Sequence, residues 1–342
     1  MPLIPGVLSV SGRLLRTAAR ELLKLVSMKA DSQHAKWTLV LKAARPRFLV
    51  ASIAPVLVGS SLGYAVSGTF EPTLFVLALL AMMLLHAGAN LANDYFDHVS
   101  GNDWVNNNPT PFSGGSRFIQ NGLLSPKAVL LEALAALSFG SALGLTILLI
   151  RPSIYVLILG VVGLLGGFFY SAGPIRFGYR TIGESAIFLL FGVLPVCGSY
   201  YLQTGSFDCI ALVPGSIVGI LIFLVILVNE FPDAQADAQV NKRTLVVAFG
   251  MNTAAWIYRI ALVASFVLSI VSALIWRTML VAGLLYLLAL PPAIVLLRLV
   301  NQPQLARPGQ DKANRITILT HAIGSLALSL GFLATGLFAT AG

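Results

Sequence analysis

Long apolar runs, separated by short polar segments, occupy most of the chain. They lie near residues 47–67, 73–93, 127–150, 153–173, 184–203, 209–229, 250–273, 278–299 and 316–340. Each run is close to the roughly 20 residues that an α-helix needs to cross a bilayer. Apolar and polar residues do not alternate within the runs, as they would in a membrane β-barrel. The pattern therefore predicts an all-α, polytopic membrane protein with nine transmembrane helices.

The segment before the first run has a different character, because it mixes basic residues with Leu and Val. Its basic residues are Arg13, Arg16, Arg20, Lys24, Lys29, Lys36 and Lys42. We expect residues 1–42 to form a basic amphipathic leader on the membrane surface, followed by a transmembrane domain over residues 43–342. An organellar transit peptide is the alternative, although Glu21 and Asp31 interrupt that pattern. A secretory signal is not expected, because no apolar core is followed by a small-residue cleavage site.

Composition and charge agree with a membrane location. The chain is 57% hydrophobic and 10% charged, with a mean hydropathy of +0.87, whereas an ordinary soluble domain is about 25% charged. The net charge of +9 comes largely from Lys and Arg in the leader and in the loops after even-numbered helices. We therefore do not interpret it as nucleic-acid binding. The positive-inside rule predicts a multi-pass protein of the cell (inner) membrane, with the N-terminus and these loops in the cytoplasm.

Two acidic segments stand out, because the chain has only 13 Asp and Glu. Residues 90–103 contain three of these acids and residues 229–237 contain another three. Both segments carry Asn-x-x-x-Asp at the end of an apolar run. If the helices continue through them, residues four and seven apart share one face, as Asn90, Asp94 and Asp97 do. Even-numbered helices carry both segments, so both reach the cytoplasmic face and can form one site.

Carboxylates crowded in apolar surroundings repel one another unless cations neutralise them. Carboxylate and amide oxygens are hard ligands that suit Mg²⁺, which keeps open positions for phosphate oxygens. The predicted metal ligands are Asn90, Asp94, Asp97, Asp233 and Asp237. The alternative is a pair of solvated loop acids beside the membrane. Whether Asp103 and Glu230 are also ligands is open at this stage.

Basic and small residues close to the acids indicate that the metal site holds phosphate groups. The loop Ser113–Arg117 reads Ser-Gly-Gly-Ser-Arg, which combines backbone N–H groups, a hydroxyl and a guanidinium. The candidate diphosphate-binding residues are Ser116, Arg117, Arg176, Lys242 and Arg243. Positive-inside bias is the simpler explanation for some of these basic residues. Metal together with several Lys and Arg at a membrane face is typical of a diphosphate site.

At this point the motifs resemble a known family. Residues 90–97 (Asn-Leu-Ala-Asn-Asp-Tyr-Phe-Asp), the Gly-Gly-Ser-Arg loop, and Asp233-x-x-x-Asp237 leading into Lys-Arg-Thr-Leu are similar to motifs of the UbiA superfamily of intramembrane prenyltransferases. The likeness covers about residues 40–340. It is greatest to the branch that prenylates 1,4-dihydroxy-2-naphthoate in menaquinone biosynthesis. The resemblance implies the UbiA-like fold, with nine transmembrane helices around a central cavity.

The resemblance also implies a mechanism. Two Mg²⁺ ions and a polyprenyl diphosphate would lie between the acidic segments, with the catalytic role on Asp94, Asp97, Asp233, Asp237 and Lys242. An aromatic acceptor such as 1,4-dihydroxy-2-naphthoate would then attack the allylic cation, and Arg45 and Tyr170 are its candidate binding residues. The lipid bilayer would take the apolar tail, and no nucleic acid is involved.

The second acidic segment departs from the family pattern, because Glu230-Phe-Pro precedes Asp233. Because of this departure, other acceptors remain as alternatives to 1,4-dihydroxy-2-naphthoate, namely 4-hydroxybenzoate, homogentisate, a chlorophyllide, haem and a glyceryl phosphate lipid. Outside the family, a cation-coupled transporter would place acids deep inside broken helices. A CDP-alcohol phosphotransferase would carry a single long motif on adjacent helices.

Overall fold

The computed structural model describes residues 38–39, 41–300, 305 and 311–340, so nearly all of the predicted leader lies outside the described residues. The described part is helical and contains no strand. Its long helices are α1 (Val50–Ser67), α2 (Pro72–Ser100), α3 (Pro126–Ile150), α4 (Ile154–Phe169), α5 (Gly183–Thr204), α6 (Cys209–Gln239), α7 (Leu245–Ile275), α8 (Arg277–Leu299) and α9 (Lys312–Thr340). Each matches one of the predicted apolar runs.

Eight of these helices in the described part are long and apolar enough to cross a membrane. The remaining one, α4, has 16 residues and is about 24 Å long at the usual rise of 1.5 Å per residue. Many of the large apolar side chains on the outside are exposed, including Leu149 and Leu274. Apolar residues facing outwards are stable in lipid but not in water. The prediction of an all-α membrane bundle is confirmed.

Local chemistry sets the helix boundaries. The hydroxyls of Ser125 and Thr244 accept the backbone N–H three residues further on, at 3.2 and 3.4 Å, and so cap α3 and α7. At the other end, α1 and α2 finish at Gly68 and Gly101, whose φ angles of 70° and 84° lie in the left-handed region. These caps and glycines mark where the helices begin and end.

Glycines let several helices approach closely, as is typical of membrane bundles. A Cβ on Gly59 of α1 would lie 2.2 Å from the carbonyl oxygen of Val196 in α5. A Cβ on Gly192 of α5 would lie 2.2 Å from the Cα of Gly219 in α6. A substitution at either position would have to push two backbones apart. The main buried core runs through α1 and α5 to α9.

An unusual feature of α6 is Pro232, which lies inside the helix. Proline has no N–H, so the carbonyl four residues earlier, that of Val228, loses its helical donor. The side-chain amide of Asn314 in α9 donates to that carbonyl at 3.3 Å, and to the side-chain oxygen of Asn229 at 2.8 Å. The neighbouring helix thus replaces the missing donor. As a result α6 continues to Gln239 and carries the second acidic segment beyond the core.

Candidate active site

The two acidic segments meet at one end of the bundle. The amide of Asn102, just after α2, donates to Oδ1 of Asp237 at 3.0 Å. The Lys242 ammonium lies 3.4 Å from Oδ1 of Asp237 and 3.7 Å from Oδ2 of Asp97. Both carboxylates are buried. A single lysine therefore links the end of α2 to the end of α6.

The carboxylates of the site lie at the C-terminal ends of α2 and α6, where negative charge is disfavoured. Asp94 and Asp97 lie in the last two turns of α2, and Asp237 lies in the last turn of α6. The C-terminal end of a helix carries partial negative charge, so carboxylates there are disfavoured. The charge of Lys242 is correspondingly favoured. Its pKa is raised well above the ordinary value, because the charges of Asp237 and Asp97 outweigh the opposing effect of its burial.

The Gly-Gly-Ser-Arg loop holds one acid from each segment. The backbone N–H of Gly114 donates to Oδ2 of Asp233 at 3.0 Å, and that of Ser116 donates to Oδ1 of Asp94 at 3.2 Å. The Arg45 guanidinium also contacts Asp94. Burial opposes the charge of Arg45, but the adjacent Asp94 carboxylate overcomes this effect and raises the pKa of Arg45. Two of the amides expected to receive phosphate therefore donate to aspartates.

The close approach of this loop explains its second glycine. Gly115 has a φ of 77°, and a Cβ there would lie 2.8 Å from Oδ2 of Asp103. The same oxygen accepts from the side-chain amide of Gln120 at 3.0 Å. Burial, followed by the charges of Asp97 and Asp94, raises the pKa of Asp103 to about 8. Burial and the neighbouring carboxylates therefore favour the protonated form of Asp103, and a bound cation would favour its ionised form.

Asp97 accepts further hydrogen bonds, in addition to its contact with Lys242. The Tyr179 hydroxyl donates to Oδ1 of Asp97 at 2.7 Å and lies 2.6 Å from the Ser100 hydroxyl. The Asn93 amide donates to Oδ2 of Asp97 at 3.1 Å. Burial and then the charge of Asp97 raise the pKa of Tyr179, so its hydroxyl stays protonated and donates. Residues far apart in the sequence thus fix one carboxylate.

A cavity of about 180 Å³ opens among these groups. Five carboxyl residues and two basic residues line it, namely Asp97, Asp103, Glu230, Asp233 and Asp237 against Arg45 and Lys242. Its other wall is apolar and includes Leu190, Phe191 and Ile222. A pocket with a charged end and an apolar end suits an amphiphilic ligand that has a polar head and a hydrocarbon tail.

The structure brings most of the predicted residues to this cavity. Those that line it are Arg45, Asn90, Asp97, Tyr170, Asp233, Asp237 and Lys242. Asp94 lies behind Arg45, and Ser116 reaches it through its backbone. Besides Ser116, three predicted diphosphate ligands do not line the cavity. The Arg117 guanidinium donates to the backbone carbonyl of Asp103, Arg176 lies 5.3 Å from the centre of the Tyr179 ring, and Arg243 is exposed.

Several residues that hold the acids were not identified from the sequence. Asn102 and Asn106 donate to Asp237 and Asp233 at 3.0 and 2.8 Å, and Asn93 donates to Asp97. A signal did exist, because the loop after the first acidic segment is rich in Asn. Glu230, which was left open, lines the cavity.

The oxygen atoms of this site suit a hard divalent cation. Oδ2 of Asp94 and Oδ1 of Asn102 are buried and have no hydrogen-bond donor among the described residues. Buried oxygens without donors are costly, and a cation that binds oxygen would satisfy them. Among the same residues, no three His, Cys, Asp or Glu side chains already converge on one point. The predicted ligand set, Asn90 and the four aspartates, therefore stays a prediction.

Comparison with known proteins identifies the family. Residues 52–318 match the model of the UbiA prenyltransferase family. The 1,4-dihydroxy-2-naphthoate octaprenyltransferase of Haemophilus influenzae is 30% identical over 303 residues, which cover 85% of this chain and 95% of that protein. The 2-carboxy-1,4-naphthoquinone phytyltransferase of Synechocystis is 26% identical, over 86% of this chain and 92% of that protein.

Solved structures support the fold. A UbiA homolog from Archaeoglobus fulgidus, bound to GPP and Mg²⁺, superposes with a TM-score of 0.65 at 15% identity, covering 89% of this chain and 99% of that one. A UbiA homolog from Aeropyrum pernix gives a TM-score of 0.60 at 13% identity, and the superposition covers 84% of this chain and 97% of that one. At these identities the likeness concerns the arrangement of helices.

Proposed function

Because the chain belongs to the UbiA prenyltransferase family, we propose that it transfers a polyprenyl group from a polyprenyl diphosphate to 1,4-dihydroxy-2-naphthoate, with Mg²⁺ as cofactor. Prenyl transfer itself follows from the family. The acceptor, the donor length and the metal are our inference. The observation that carries the proposal is the cavity in which five carboxyl residues face two basic ones beside an apolar wall.

The metal would be held where the acids of both helices face each other. Asp94, Asp97, Asp233 and Asp237, together with Asn90, supply the hard oxygen atoms that Mg²⁺ prefers. When bound, Mg²⁺ neutralises the charge of a departing diphosphate. The Archaeoglobus homolog binds GPP and Mg²⁺ in its structure, which supports the same pairing here.

Basic side chains of the protein can bind the diphosphate beside the metal. Lys242 is partly buried and lies close to carboxylates of both acidic segments, so its ammonium can stabilise the leaving diphosphate. Ser116, Arg117, Arg176 and Arg243 surround the same end of the bundle, and we retain them as candidate outer contacts for the phosphate oxygens. Side-chain rotation would be needed for Arg117, which binds a carbonyl in this structure.

The acceptor assignment rests on relatives together with the cavity. Haemophilus influenzae and Escherichia coli proteins named 1,4-dihydroxy-2-naphthoate octaprenyltransferase are 30% and 28% identical over most of this chain. Tyr170 lines the cavity and offers an aromatic face to a flat ring. Arg45 also lines it, but its guanidinium contacts Asp94. This places Tyr170 ahead of Arg45 as an acceptor contact.

The proposal also includes an orientation. The Lys and Arg distribution favours a cytoplasmic N-terminus and an active site that opens to the cytoplasmic side of the inner membrane. Cysteine labelling of intact cells at Asn241 and at Phe207, which lie near opposite ends of the bundle, would test it. In a Cys209→Ser background, which removes the exposed native cysteine, a reagent that cannot cross the membrane should reach only the Phe207→Cys variant.

The function is tested with purified protein in nanodiscs. Octaprenyl diphosphate, Mg²⁺ and 1,4-dihydroxy-2-naphthoate should give prenylated product, and 4-hydroxybenzoate, homogentisate and a glyceryl phosphate lipid should give much less. Asp94→Ala and Asp233→Ala should each lose most of the activity. Asp208→Asn, at an exposed helix cap distant in sequence from both acidic segments, is the control and should retain it. Turnover with a different acceptor but not the naphthoate would overturn the assignment.

A further inference from the structure

A polar side chain at the apolar end of the cavity takes no part in holding the acids. His86 lies on α2 and lines the cavity together with Asn90 and Asp97 of the same helix. It precedes Asp97 by eleven residues, which is about 16 Å along the axis at 1.5 Å per residue. Its ring centre lies 4.6 Å from that of Phe191, which belongs to the apolar wall. His86 therefore brings a polar group to the end of the cavity farthest from the metal-binding acids.

Two neighbouring helices hold the His86 ring in place. Its Nδ1 lies 2.7 Å from the hydroxyl of Ser52 in α1, and the two residues are only 8% and 0% exposed. Edge-to-face packing against Phe191 in α5, with the ring planes 70° apart, fixes the plane of the imidazole. Nε2 has no hydrogen-bond partner among the described residues. A polar atom among apolar side chains is costly unless it is paired, so Nε2 is placed to bind a ligand.

The chemistry of the two substrates decides which of them Nε2 can bind. Beyond its diphosphate, a prenyl diphosphate is a hydrocarbon and offers no hydrogen-bonding group. The aromatic acceptor carries oxygen atoms. In 1,4-dihydroxy-2-naphthoate the two hydroxyls point to opposite sides of the ring. If the carboxylate and the 1-hydroxyl lie towards the metal and Lys242, the 4-hydroxyl points to the apolar end. A hydroxyl both donates and accepts, so it can pair with Nε2 in either tautomer of the imidazole.

We propose that Nε2 of His86 hydrogen-bonds the acceptor hydroxyl that lies farthest from the diphosphate, and that Ser52 is the positioning residue that holds the imidazole for this contact. This inference rests on the proposed function and adds the group that orients the acceptor. With its far hydroxyl bound, the ring cannot turn end over end. Its carboxylate-bearing side then faces the diphosphate and the allylic carbon. A site built to pair a hydroxyl also rejects an analogue without it, because Nε2 is then left unpaired.

The first test needs no substitution in the protein. Full-length protein in nanodiscs is saturated with Mg²⁺ and a prenyl thiodiphosphate, a donor analogue that reacts very slowly. Two acceptors are then titrated, 1,4-dihydroxy-2-naphthoate and 1-hydroxy-2-naphthoate, which lacks only the far hydroxyl. We expect the wild-type protein to bind the dihydroxy compound about tenfold more tightly, as a buried hydrogen bond predicts. Equal Kd values for the two compounds would overturn the proposal.

Variants then show whether His86 is the partner of that hydroxyl. His86→Leu should weaken binding of the dihydroxy compound by about tenfold and leave the Kd of the monohydroxy compound within about twofold. His86→Gln should keep part of the preference, because the glutamine amide can lie near the position of Nε2. Ser52→Ala should lose part of it, because the imidazole is no longer fixed. The KM for the polyprenyl diphosphate should not change. A coupling between one side chain and one ligand group is not expected of a purely structural residue.

His321→Leu is the matched control. His321 in α9 is also buried, and its Nε2 has no partner among the described residues, but it does not line the cavity. This variant should bind both acceptors as the wild-type protein does. Equal weakening of both acceptors in His86→Leu would show that His86 only packs the helices, and would overturn the proposal. If the wild-type protein binds neither naphthoate and prenylates another acceptor, the proposed function itself fails. If it prenylates the dihydroxynaphthoate but binds both compounds equally, only this inference fails.

Discussion

Replacing Lys242 with Met tests how far the bundle depends on the bridge between its two acidic segments. The methionine keeps the length of the side chain and removes the charge. Lys242 lies 3.4 Å from Asp237 and 3.7 Å from Asp97, and it is only 16% exposed. Breaking a buried ion pair by removing one partner costs about 3–5 kcal/mol. Because both distances are long for a direct hydrogen bond, we expect about 3 kcal/mol, which for a chain of 342 residues corresponds to an apparent Tm lower by roughly 4 °C.

The measurement is thermal unfolding in nanodiscs, with and without millimolar Mg²⁺. Arg151→Met is the matched control, because Arg151 and Glu71 lie at the same 3.4 Å separation but are 25% and 47% exposed. Exposed pairs contribute about 0–1 kcal/mol. Mg²⁺ should raise the Tm of Lys242→Met more than that of the wild-type protein, because the variant leaves two carboxylates uncompensated. Equal Tm losses in the two variants would refute the reasoning, and an absent Mg²⁺ effect would count against the metal site.

Two further substitutions test how the acids and their helix are held. Gly115→Ala should reduce prenyl transfer by more than tenfold, because the new Cβ would lie 2.8 Å from the Asp103 carboxylate. Gly122→Ala is the control, because Gly122 also has a positive φ but a Cβ there would meet nothing within 4 Å. Equal activity in the two variants would contradict this explanation. Asn314→Leu should lower the apparent Tm, because the Val228 carbonyl loses its replacement donor at a cost of about 1–3 kcal/mol, and an unchanged melting curve would show that the carbonyl has another partner.

The helices could be predicted from the sequence because lipid requires long apolar runs. Their ends were less predictable, since apolar patterning stops before the helix does. The first acidic segment was predicted as the polar continuation of a run ending near 93, and α2 extends to Ser100. The run ending near 229 continues to Gln239, past Pro232. The spacing of Asn90, Asp94 and Asp97 already favoured such a continuation, because it places them on one face.

The partners of the acids could not be predicted, because they come from loops distant in sequence. Tyr179 reaches Asp97 across 82 positions, and Asn106 reaches Asp233 across 127. The Gly-Gly-Ser-Arg loop shows the same limit, since its composition suits phosphate, yet two of its amides donate to carboxylates. Composition indicates which groups can bind an anion or a cation. Only the tertiary contacts decide which partner each group has.

The site and the stability of the bundle are linked through charge. Two helix ends that carry partial negative charge bring carboxylates together, and the cavity has five carboxyl residues against two basic ones. The electrostatic repulsion between these carboxylates is unfavourable, so the packing of the helices must offset it. Any ligand that brings positive charge to the cavity relieves the repulsion only in the folded state, and it therefore stabilises the fold by mass action. A diphosphate alone adds negative charge and should bind weakly, whereas a diphosphate with divalent cations neutralises the acids and satisfies the free oxygens of Asp94 and Asn102. If the site holds Mg²⁺ as proposed, we expect the cation to bind before or together with the diphosphate.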